Sequence, residues 1–194
     1  MKKIVLASNN KHKIKEFREL FKDEEILSLN DIGFYEDIIE DGNTFMENSL
    51  IKAKTVSKFL KEKGISANVI ADDSGLCVDA LNGAPGVFSA RYSGDHNDEN
   101  NRKKLLKELG NKDNRKAHFN CTLVELYPDG KFIVAEGKTY GEITTEEIGD
   151  KSFGYDCLFY SNELKKTFGE ASAEEKNSVS HRGRAIEKLK KLRK

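Results

Sequence analysis

The opening thirty residues constrain the chain most, because a short apolar run passes through a tight polar turn straight into an amphipathic segment. Lys3 to Ser8 reads as a buried strand, Ser8-Asn9-Asn10 as a turn and helix cap. Ile14, Phe17, Leu20 and Phe21 then recur at helical spacing. Strand, loop and helix in that order open an α/β fold. The loop's N–H groups and the helix N-terminus together form a natural place for an anion.

The rest of the chain extends this pattern. Thr44 to Glu47 has the form of a capping box, and Met46, Leu50, Ala53 and Leu60 mark a buried stripe on a helix ending near Lys61. Asn48 and Lys52, spaced i, i+4, share a different face. Val69 to Leu81 reads as two short strands around a turn at Asp73-Ser74-Gly75, followed by the turn-rich loop Asn82-Gly83-Ala84-Pro85-Gly86. A helix is expected from Asp98 to Leu109. A hairpin joins His118–Tyr127 to Lys131–Tyr140 through Pro128-Asp129-Gly130. The last helix starts near His181 and buries Ala185, Ile186, Leu189 and Leu192. Strand–helix units mixed with a hairpin predict an α/β class with a mixed β-sheet and flanking helices. No repeat or linker divides the chain, so residues 1–194 are expected to form a single domain.

Charge narrows the function classes. The 33 basic and 33 acidic residues cancel, whereas proteins held on nucleic acid by phosphate contacts carry a basic excess; no nucleic-acid partner is expected. The basic tail from Arg182 to Lys194 reads as a solvated helix face. Cys77, Cys121 and Cys157 are odd in number and widely spaced, which favours small buried hydrophobes in a reducing compartment. After Met1-Lys2-Lys3 the apolar run Ile4–Ala7 is too short for a signal-peptide core. No stretch reaches the roughly 20 apolar residues that span a bilayer. A cytoplasmic location with no membrane partner is the expectation.

Four segments place polar chemistry where a core pattern does not call for it. Ser8-Asn9-Asn10-Lys11-His12-Lys13 puts a hydroxyl, amides and lysines at a strand-to-helix turn, suited to a polyphosphate but lacking the P-loop glycines. Glu40, Asp41 and Asp72-Asp73-Ser74-Gly75 supply hard oxygen ligands of the kind magnesium takes. On a strand, one aspartate of the pair would face a cleft and the other bond inward to backbone. Ser152-Phe153-Gly154-Tyr155-Asp156 offers aromatics to stack a base and a carboxylate to bond the base or the sugar. Lys176 with Ser180-His181-Arg182-Gly183 offers donors at a helix start. Each taken alone also reads as a cap, a turn or a core contact.

Taken in order, these segments resemble the inosine triphosphate pyrophosphatase family, also called XTP/dITP diphosphatases, from end to end. The resemblance also rests on Asn48/Lys52 and on Ser89-Ala90-Arg91-Tyr92 after the Gly-Ala-Pro-Gly loop. It implies two lobes around a nucleotide-binding cleft, a Mg2+ cofactor and a homodimer. It also implies hydrolysis of non-canonical purine nucleoside triphosphates (ITP, dITP, XTP) to monophosphate and pyrophosphate. Carried over by position, it assigns Ser8, Asn9, Asn10, Lys11, His12 and Lys13 to the nucleotide, Glu40 and Asp73 to the metal, and Asp73 to proton acceptance. It assigns Lys52, Ser74, Phe153, Gly154, Tyr155, Asp156, Lys176, His181 and Arg182 to the substrate. Two positions depart from the family pattern: Cys157 stands where proline is usual, and Ser49 where alanine is usual. The first implies a change in loop rigidity after Asp156. A nucleotide pyrophosphatase of broader range, and a nucleotide- or RNA-binding module without catalysis, are the alternatives.

Overall fold

Three strands that pass through two compact units organise the chain. The computed structural model describes residues 2–150 and 153–193. Met1, Ser152 of the aromatic segment and Lys194 of the basic tail lie outside the described residues. The strands are β1 (Lys2–Leu6), β2 (Glu24–Leu27), β3 (Asn68–Val78), β4 (Lys116–Leu126), β5 (Phe132–Ile143) and β6 (Phe159–Ser161). The helices are α1 (Lys11–Leu20), α2 (Phe45–Glu62), α3 (Asp98–Leu109), α4 (Ala173–Val179) and α5 (His181–Leu192).

The strands form one mixed sheet in the order β2-β1-β3-β4-β5-β6. β1 runs parallel to β2 and β3, with Val5 opposite Leu27 on one side and Val69 on the other. β5 and β6 are antiparallel, with Glu142 opposite Tyr160. The expected mixed-sheet α/β class is therefore what the chain adopts. One unit comprises Met1–Asp73, Thr122–Glu136 and Ala185–Lys194, the other Ser74–Cys121 and Gly137–Arg184. The first is built on Val5, Ala53, Val56, Leu60, Val69 and Val124. The second is built on Leu76, Leu105, Phe119, Leu158, Phe159 and Phe168.

Local signals place most elements. Asn10 caps α1, its side chain accepting from the His12 and Lys13 amides, and Phe17 and Phe21 are buried as their spacing predicts. Thr44 and Glu47 close a capping box on α2. The Asn82–Gly86 loop carries positive φ at Asn82, Gly83 and Gly86, as its turn chemistry predicts. The Pro128-Asp129-Gly130 turn links β4 to β5, with the Tyr127 amide donating to the Lys131 carbonyl.

Four expectations are corrected. Asp73-Ser74-Gly75 is not a turn between two strands; it runs inside the single strand β3, which lies between β1 and β4 in the sheet. Met46 is exposed; the buried side of α2 is carried by Asn48, Ser49, Lys52, Ala53, Val56, Ser57 and Leu60. Leu192 is also exposed, beyond the buried Ala185, Ile186 and Leu189. The tail is not a uniformly solvated face either: Arg182 is buried, and Arg193 pairs with Glu24 and Glu125. Cys121 and Cys157 are buried as expected, Cys77 is half-buried, and all three are free thiols. No helix among the described residues is long and apolar enough to cross a membrane.

Candidate functional site

In the first unit, α1, α2 and β3 bring cations and carboxylates together. Asp72 and Asp73 sit in β3, both buried. Asp72 Oδ1 accepts from Lys13 Nζ at 2.5 Å, so this carboxylate faces a lysine side chain rather than bonding inward to backbone alone. The other aspartate faces α2, where Asn48 Nδ2 donates to Asp73 Oδ2 at 3.1 Å. Lys52 Nζ lies 2.6 Å from Glu40 Oε2 and 3.7 Å from Asp73 Oδ1. Glu40, Lys52 and Asp73, distant in sequence, therefore meet around one ammonium nitrogen. One helical turn explains the geometry: residues four apart on α2 point the same way, and here that way is toward β3.

Asn48 does a second job. Its Oδ1 accepts from the Gly42 amide at 2.8 Å, tying the loop after Glu40 to the helix. A Cβ on Gly42 would come within 2.7 Å of that same oxygen, so only glycine fits this approach. Ser49, also buried, donates to the Thr122 carbonyl at 2.8 Å. The departure from alanine thus adds a satisfied hydroxyl and no stranded one.

Burial sets the electrostatics of Asp73. Desolvation pushes its carboxyl above the ordinary value of 3.8, and the neighbouring Glu40 charge adds to this. The Lys52 and Lys13 ammonium groups and the Asn48 hydrogen bond oppose the rise.

The loop before α1 is more structural than its composition implies. Ser8 Oγ accepts from the Asn10 amide at 3.1 Å, and Asn9 Oδ1 accepts from the Asn30 amide at 2.8 Å. Asn10 is the helix cap; Lys11 and His12 are exposed.

The second unit gathers the remaining candidates. Lys176 Nζ is 2.7 Å from Asp156 Oδ2 and lies over the rings of Phe153, at 5.6 Å, and Phe168, at 5.8 Å. Phe168 stacks on Phe119, and Phe119 on His181 with centroids 4.8 Å apart. One aromatic column therefore connects Lys176 to His181. Arg182, 2% exposed, reaches Ser74, Nη2 to Oγ at 3.5 Å. Burying a guanidinium is costly unless it meets acceptors, so Arg182 is held inside the fold and is not a solvent charge. Tyr155 is a core residue, 4% exposed, whose hydroxyl donates to the Ser89 carbonyl. Its neighbour Gly154 has φ of 57°, with its amide on Asp98 and its carbonyl on Arg102. The segment Asp156–Leu158 is a buried 3-10 turn in which the Cys157 carbonyl accepts from Ile148, so the loop is held without proline.

Phe119 and Phe168 escaped sequence reasoning because nothing local separates a core phenylalanine from one that supports a site. Asn48 carried a signal, its i, i+4 relation to Lys52, but its burial came only with β3 opposite.

The donor set suits a hard divalent cation. Magnesium commonly takes one or two carboxylates and completes its shell with water and phosphate. Glu40 and Asp73 provide two carboxylates that already share a cationic group, the Lys52 ammonium. Among the described residues no group of three or more His, Cys, Asp or Glu side chains is placed to hold a metal ion.

The model of the Ham1 family matches residues 4–192. The dITP/XTP pyrophosphatase of Clostridium perfringens is 56% identical, with 98% of this chain and 96% of the relative covered. That of Desulfotalea psychrophila is 52% identical, covering 96% and 83%. The Staphylococcus aureus Ham1 protein superposes with a TM-score of 0.87 at 42% identity, over 98% of this chain and 97% of that one. A HAM1 protein from Coxiella burnetii gives 0.86 at 38%, over 99% and 98%. With the motifs, the fold and the sequence in agreement over nearly its whole length, the chain belongs to the Ham1 family.

Proposed function

We propose that the protein hydrolyses non-canonical purine nucleoside triphosphates (ITP, dITP and XTP) to the monophosphate and pyrophosphate, with Mg2+ as cofactor. Relatives at 56% and 52% identity carry the name dITP/XTP pyrophosphatase. The observation that carries the proposal is the meeting of Glu40, Lys52 and Asp73 beside the half-buried Lys13–Asp72 pair.

Each residue has a physical task in this reading. Glu40 and Asp73 would hold the metal, which when bound neutralises phosphate charge and lowers the barrier to in-line attack by water. Asp73, its carboxyl raised by burial, is suited to accept a proton from the attacking water. Lys13 and Lys52 supply positive charge to the triphosphate. His181 and Arg182 would donate to the 6-oxygen of hypoxanthine or xanthine; adenine presents an amino group there and would strand a donor against a donor. Phe153, Lys176 and Asp156 complete the substrate contacts in this assignment. A homodimer acting in the cytoplasm on free nucleotides, and not on nucleic acid, completes the proposal.

The test is a panel of ITP, XTP, dUTP, ATP and GTP, with and without Mg2+, identifying both products. Pyrophosphate release from ITP and XTP well above ATP, abolished by chelation, is the expected result. Equal rates on all five would defeat the purine-specific reading. ITP that binds but survives incubation with Mg2+ would mark a binding module.

A further inference from the structure

Lys52, assigned above to the triphosphate, is already held by two carboxylates. Its ammonium is seated on Glu40, contacts Asp73, and belongs to a side chain 9% exposed. Two carboxylates this close repel each other, and the ammonium offsets that repulsion. A divalent cation claiming the same oxygens would stand beside a buried like charge, where screening by water is weak. The backbone under Lys52 cannot retreat, since Ala53, Val56 and Leu60 on α2 are fully packed. Its flexible four-carbon stem can swing instead. We propose that Lys52 and the divalent cation compete for Glu40 and Asp73, and that metal entry hands the Lys52 ammonium from these carboxylates to the substrate phosphates. This rests on the assignment of Glu40 and Asp73 to the metal.

The handover couples the ligands. Metal alone must displace Lys52 without a new anion to receive it, so it binds weakly. Metal arriving with a triphosphate gives the ammonium a partner, so each ligand strengthens the other.

Calorimetric titration of nucleotide-free protein with Mn2+ tests the competition. Lys52→Gln is expected to bind Mn2+ about tenfold or more tightly than wild type, because a competing charge in contact with both ligands is gone. Lys13→Gln removes the same formal charge, but from Asp72, and is expected to change the affinity by less than about threefold. Equal changes in the two variants, or none in Lys52→Gln, would overturn the handover. Should Lys52→Gln fold poorly, the ammonium NMR signal of Lys52 in wild type, assigned with Lys52→Arg, decides the matter. It should shift on saturation with Mg2+, and an unmoved signal overturns the proposal. ITP hydrolysis by wild type is followed in the same buffer. Its absence would sink the proposed function, whereas hydrolysis with unaltered Lys52→Gln affinity would sink only the handover.

Discussion

Replacing Asn48 by alanine separates a bridging amide from an ordinary buried polar group. The side chain is fully buried and makes two hydrogen bonds, accepting from Gly42 and donating to Asp73. A bond to a charged group contributes about 1.5–3 kcal/mol and a neutral one about 1 kcal/mol, so Asn48→Ala should destabilise by about 3 kcal/mol. For a chain of this size 1 kcal/mol moves Tm by about 2–4 °C, which gives a drop of about 6–12 °C. Ser49→Ala is the internal control. It is equally buried but loses one hydroxyl–carbonyl bond, and should cost about 1 kcal/mol. Urea unfolding followed by circular dichroism measures both. The two variants differing by less than about 0.5 kcal/mol, within ordinary scatter for such bonds, would refute the bridge. The same substitution has a functional signature. The Asn48 hydrogen bond holds the Asp73 carboxyl down against its burial, so removing it should move the acidic limb of the kcat/KM profile to higher pH. An unmoved limb would take Asp73 out of the role of base.

Asp73→Asn should abolish hydrolysis while leaving the metal-free protein at least as stable as wild type at neutral pH. The sign follows from its raised pKa: the stabilising effect of protonation is complete below 3.8 and lost as pH rises through the folded value, so ionised Asp73 is a cost at pH 7. The difference in Tm between variant and wild type should shrink as pH falls toward 3.8, and a difference that grows would contradict this. Arg193→Met leaves the fully buried Glu125 with Asn68 as its remaining neutral donor and should destabilise by about 3–5 kcal/mol in denaturant. Exposed Lys191→Met, two residues earlier, should change little by the same measurement. Gly42→Ala places a Cβ 2.7 Å from Asn48 Oδ1 and from Glu47 Cβ and should destabilise by about 1–3 kcal/mol. A neutral outcome in thermal denaturation would show that the loop after Glu40 yields freely. Arg182→Ala should lower the ratio of ITP to ATP hydrolysis; an unchanged ratio would assign base recognition to other side chains.

Signals confined to a few consecutive residues were enough to define much of this protein. The Asn10 cap, the Thr44–Glu47 box, the α3 limits and the Pro128–Gly130 turn are all visible in sequence, because each depends on hydrogen bonds between near neighbours. The ordered polar segments likewise sufficed to point to the family. Spacing also placed Phe17 and Phe21 in the core, but tertiary structure alone decided that a polar side of α2 is buried. Periodicity states that Asn48 and Lys52 share a face, but not that the face is covered; β3 and its aspartates lie opposite it, so polar residues went inside while Met46 stayed in water. Tertiary context likewise kept Asp73-Ser74-Gly75 extended inside β3, an interior strand of the sheet, against a local preference to turn. Local geometry is set by near neighbours along the chain, and burial by whatever the rest of the chain places across from them.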